Sequence, residues 1–68
     1  MASYYVNKNA QANGDHEVHK LGCNWMPTEP NRIYLGNFDS CGPAVRQAKT
    51  FYDQVNGCYY CSPACHTQ

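Results

Sequence analysis

The alternation of apolar and polar positions changes period several times along the chain. Ser3-Tyr4-Tyr5-Val6-Asn7-Lys8 is rich in strand formers and gives way to the polar run Asn9 to Asp15, whose Asn13-Gly14 pair marks a turn. Residues 1–15 therefore read as a strand followed by a flexible loop. His16 to Asn31 shows no sustained period and carries Pro27 and Pro30, so it is predicted to be irregular or a single helical turn around Leu21 to Trp25. Arg32 to Phe38 is predicted as a second strand, with Ile33 and Leu35 on one face and Tyr34 on the other; Gly36 marks a bulge or a close backbone neighbour.

From Ser40 the spacing becomes helical. Cys41, Ala44, Val45, Ala48, Phe51 or Tyr52, and Val55 share a face, while Arg46, Gln47, Lys49, Asp53 and Gln54 point outward. Asp39 or Ser40 can cap the start, Pro43 is tolerated in the first turn, and Asn56-Gly57 supplies a left-handed stop. The expectation is an α+β fold: a short two- or three-stranded antiparallel sheet with one main helix from about Ser40 to Asn56. It forms a single domain over 1–68, with its core in 16–63 and a tail at 64–68.

Composition narrows the function classes. A chain of 68 residues hides only about 60% of its unfolded surface on folding, which leaves a thin core in need of a further tie. Five basic residues balance five acidic ones and are scattered, so no basic footprint marks a dedicated nucleic-acid binder. The apolar runs are short, and Met1-Ala2-Ser3-Tyr4-Tyr5 has neither a basic n-region nor an apolar h-region. No membrane span or secretory signal is expected, and the cytoplasm is the expected location of a monomer. In that compartment five cysteines read as metal ligands or reduced thiols rather than a disulfide frame, the odd count leaving one without a bridge partner.

Cys58-x-x-Cys61, directly after the turn at Gly57, places two thiolates where both can reach one tetrahedral Zn²⁺. A second close pair should complete the site, and His19-x-x-x-Cys23 supplies it, giving the Cys₃His set His19, Cys23, Cys58 and Cys61. The rivals are His16, Cys41, Cys65 and His66, and a cluster of Cys58, Cys61 and Cys65 is a competing arrangement. It would leave the first half of the chain untethered. Cys41 at the helix start reads as a small buried thiol, with a reactive thiol or an oxidative disulfide to Cys65 as the alternatives.

Several catalytic patterns are absent. His16-Glu17-Val18-His19 is one residue short of the His-Glu-x-x-His protease helix, and neither the glutamate after His19 nor the proline before Cys58 that a zinc deaminase needs is present. A thioredoxin-like pair opens a helix, whereas Cys58-x-x-Cys61 is expected to follow one. Four protein ligands also leave no open position on the metal, so a structural site and no enzymatic activity are expected.

His19, Cys23, Asn31-Arg32-Ile33-Tyr34-Leu35-Gly36, Ala44, Ala48, Gly57, Cys58, Cys61 and Pro63 follow one another as in a known pattern. Over His19 to Pro63 the chain resembles the metal-binding domain of the bacterial Ada-type DNA alkylation-repair proteins and its stand-alone relatives. The resemblance implies a small mixed α and β fold holding one zinc. In that family a zinc-bound cysteine at the first ligand position accepts a methyl group from DNA; here that position is His19, which argues for the scaffold and against methyl acceptance. The expected function is a structural zinc module binding a protein or nucleic-acid partner, around Trp25, Tyr59 and Tyr60. A thiol-based methyl acceptor or redox sensor is the alternative.

Overall fold

Strand-forming residues at the start of the chain find a partner on each side. A computed structural model describes residues 1–67. It contains the strands β1 (Ala2–Asn7), β2 (His16–Lys20), β3 (Arg32–Phe38) and β4 (Val55–Gly57), the helix α1 (Cys41–Ala48), and 3₁₀ turns at Glu29–Asn31 and Pro63–Cys65. The sheet order is β3-β1-β2-β4; β1 runs antiparallel to β3 and β2, and β4 lies parallel to β2. The fold class is α+β as expected, with a mixed sheet of four strands rather than two or three antiparallel ones.

Alternation decides what each face carries. Val6 pairs with Val18 and Ile33, so these side chains share the face on which α1 packs, and Tyr4, Leu35, Cys41, Ala44 and Ala48 complete the core. The β1–β3 register slips between Tyr4 and Tyr5, where Leu35 is the extra residue and Gly36 takes φ 131°. That is the bulge its glycine foretold. On the opposite face Tyr5 packs against Tyr34, with ring centroids 5.3 Å apart, under the Arg32 guanidinium.

Three sequence expectations are corrected. His16–Lys20, expected to be irregular, is a central strand; only Val18 reads as a core residue because the other buried face carries Glu17 and His19 instead of hydrocarbon. No helical turn forms at Leu21 to Trp25, where hydrogen-bonded turns from Lys20 to Cys23 and from Cys23 to Met26 succeed each other. The helix stops at Ala48, well short of Asn56. Thr50 closes it by donating both its N–H and its hydroxyl to the Gln47 carbonyl, and the segment beyond turns back to form β4.

Gly57 consequently is no left-handed stop. It is a close-approach position, where a Cβ would sit 2.7 Å from Cys65 Cβ and 2.8 Å from the Ser62 carbonyl oxygen. The tail expected at 64–68 is anchored through residue 67. Cys41 and Cys65 form a disulfide, His66 Nδ1 donates to the Gly57 carbonyl at 3.0 Å, and the Thr67 amide donates to Asn56 Oδ1 at 3.0 Å. Cys41 is thus neither a free buried thiol nor a reactive one. Gln68 lies outside the described residues.

Candidate metal centre

Two neighbouring strands bring the site together. Parallel pairing matches Val18 with Gly57, and the Cys58 amide continues the ladder by donating to the Val18 carbonyl at 2.9 Å. Cys58 therefore emerges beside His19 on the face away from α1. After β2 the chain reverses through Gly22, at φ 96°, and the Cys23 amide donates to the Lys20 carbonyl, which folds Cys23 back toward His19. A turn in which the Ser62 amide donates to the Cys58 carbonyl returns Cys61 to the same point.

The candidate ligand atoms of His19, Cys23, Cys58 and Cys61 all lie within 4.8 Å of one another. Cys23 Sγ is 3.6 Å from His19 Nδ1 and 3.9 Å from Cys58 Sγ, and Cys61 Sγ is 3.8 Å from His19 Nδ1. These three separations exceed a disulfide bond and lie within a few tenths of an ångström of the ~3.5–3.8 Å edges of a tetrahedron of sulfur and nitrogen ligands around Zn²⁺. His19 and Cys58 are each 1% exposed, whereas Cys23 and Cys61 are half-buried.

The electrostatics fit a cation. Burial pushes the Cys58 and Cys61 thiols up, while backbone amides of Tyr60 and Cys61 donate to Cys58 and the Lys20 amide donates to Cys61 Sγ at 3.4 Å. Burial lowers His19 to about 4, so its imidazole is neutral near pH 7 and has a lone pair to give. One buried and two half-buried thiols converge with a neutral imidazole on one point; a divalent ion bound there would deprotonate the thiols and balance their charge.

No family model, curated protein or solved structure matches this chain. The rivals for ligation are employed elsewhere. His16 stacks on Tyr52, with centroids 3.6 Å apart, and its Nδ1 donates to the Asn7 carbonyl. His66 and Cys65 tie down the end of the chain, and Cys41 is in the disulfide. Among the described residues the free cysteines are Cys23, Cys58 and Cys61.

Around the half-buried thiols the surface is aromatic. Trp25 and Tyr60 stack with centroids 4.9 Å apart, Tyr59 meets Tyr60 edge-on, and Trp25 and Tyr60 are 59% and 65% exposed. Cys23 and Cys61 line two shallow hollows there, of about 320 and 290 Å³, the first walled by Trp25 and Tyr60 and the second bounded by Lys20 and Leu21.

Spacing alone does not point to Glu17, whose Oε1 lies 3.7 Å from His19 Nε2. Its signal was the period of two between positions 17 and 19, visible only once β2 is known to be a strand. Asp15 is a second such residue. Its carboxylate accepts from Asn13, Gln54 and Asn56 and so joins the loop before β2 to β4.

Proposed function

We propose that this chain is a non-enzymatic module stapled by one structural Zn²⁺ on His19, Cys23, Cys58 and Cys61, and that it binds a partner through the aromatic surface beside the ion. The convergence of those four ligand atoms within 4.8 Å carries the reading. Three thiolates and an imidazole favour zinc over the harder Mg²⁺ and Ca²⁺, and a four-ligand set leaves no position for substrate or water. The Ada-type resemblance supports the same ligand set and scaffold.

The partner we propose is a protein. The formal charge of zero offers no field for phosphate, whereas exposed Leu21, Trp25, Tyr59 and Tyr60 offer the apolar and aromatic contacts that bind protein surfaces. Titration with single- and double-stranded DNA is expected to give no salt-dependent binding; a salt-dependent signal would move the assignment to nucleic acid.

Native mass spectrometry of protein purified without chelator tests the metal. One zinc per chain is expected, together with slow alkylation of Cys23, Cys58 and Cys61 that accelerates after EDTA. A metal-free mass after zinc addition would end the proposal.

The half-exposure of Cys23 and Cys61 favours one second reading, in which a zinc-bound thiolate accepts a methyl group or senses oxidants. His19, at the position of the methyl-accepting cysteine in the Ada-type proteins, is buried and cannot take that part. Alkylation faster at Cys23 or Cys61 in the zinc-loaded protein than in the chelated one would establish it.

A further inference from the structure

Strand β2 sends two side chains toward the ligand cluster. Glu17 and His19 are two positions apart, so both lie on the side opposite Val18, which enters the core. His19 offers Nδ1 to the sulfurs of Cys23 and Cys61, and this turns Nε2 away from them. Nε2 is buried with no hydrogen-bond partner. A ring N–H left in that state is costly, and a carboxylate oxygen stands 3.7 Å away, that of Glu17. The gap is less than an ångström longer than a charge-assisted hydrogen bond, a distance that side-chain torsions of Glu17 can close.

We propose that Glu17 is a positioning residue of the metal centre. Its carboxylate accepts the Nε2 proton of His19, selects the tautomer with its lone pair on Nδ1, and fixes the ring angle toward Cys23, Cys58 and Cys61. Such an outer carboxylate also raises the basicity of the ligating nitrogen. The inference rests on the zinc reading above and adds to it a residue that is not a ligand.

Zinc affinity, measured by competition with a chromophoric chelator, is compared among the unaltered protein, Glu17→Ala and Glu17→Gln, all with the disulfide intact. Glu17→Ala is expected to bind zinc about 10–100-fold more weakly. Glu17→Gln should fall between the two, because its amide oxygen accepts the same proton without the charge. Long-range ¹H–¹⁵N spectra of the zinc-loaded protein should show His19 protonated on Nε2 and bound through Nδ1.

A purely structural role would lower the melting temperature of Glu17→Ala but leave zinc affinity within about twofold, and that result overturns the inference. Binding of zinc through Nε2 overturns it as well. Should Glu17→Ala fail to fold, the nearly isosteric Glu17→Gln decides, and affinity equal to that of the unaltered protein is the negative result. If the unaltered protein takes up no zinc at all, the proposed function is what has failed.

Discussion

At the scale of single residues, His19 combines two properties that rarely coexist, complete burial and a free ring lone pair among sulfurs. Replacing it by alanine removes a ligand and leaves a hole, and zinc binding is expected to weaken by on the order of a hundredfold or more. His19→Cys rebuilds a four-thiolate set and should retain the ion; competition titration of both variants checks the pair. Two glycines make a second contrast. Gly57→Ala drives a Cβ into Cys65 and the Ser62 carbonyl and should cost about 1–3 kcal/mol, whereas Gly42→Ala, whose nearest neighbours are 3.9 Å away, should gain about 0.5–1 kcal/mol in α1; chemical denaturation reads both. The four candidate ligands were legible because short spacings between cysteine and histidine carry their own chemistry. Glu17 was not, since a carboxylate becomes informative only when its neighbour across one pleat is known.

Among the elements, β3 was legible to the residue because one of its faces is hydrocarbon and its ends are marked by Asn31 and Asp39. β2 was hidden for the opposite reason: its second buried face meets sulfur and a carboxylate, so the strand reads as polar. The helix was overextended because Val55 satisfies both the helical period and a period of two, and Phe51 and Tyr52 follow the helix as a turn. The disulfide between α1 and the turn at Pro63–Cys65 spans a sequence separation of 24, a loop whose closure is worth about 3.5 kcal/mol on chain entropy. Cys41→Ser with Cys65→Ser should lower stability by roughly that amount in urea and leave zinc stoichiometry at one, since neither sulfur belongs to the cluster.

For the molecule as a whole, the core is one face of a small sheet covered by a helix of eight residues. The disulfide at the start of α1 supplements it, and an ion on the candidate ligand cluster at the β2–β4 edge would add a second tie at a different place. Chelation with the disulfide intact is expected to leave a weakened cooperative fold, and chelation with reduction to abolish cooperative unfolding, as followed by near-ultraviolet circular dichroism. Acid should weaken the metal-free, disulfide-intact protein. His19 is lowered in the folded chain to about 4 from an unfolded 6.5, so between those values the unfolded chain takes up a proton that the folded one refuses. The contribution of His19 is fully present above pH 6.5 and falls by on the order of 3 kcal/mol toward pH 4, offset in part by Glu17, whose carboxyl is pushed up by burial; His19→Gln should remove the loss from the urea midpoints.

The sheet neighbours β3 with β1 and β4 with β2 are far apart along the chain, so most of the pairing cannot begin until distant segments meet. Topologies of this kind are slow to assemble, on the millisecond-to-second scale. An ion captured first by Cys58 and Cys61 would hold one end of that search while Cys23 and His19 diffuse to it. Refolding in a stopped-flow instrument should therefore accelerate with added zinc.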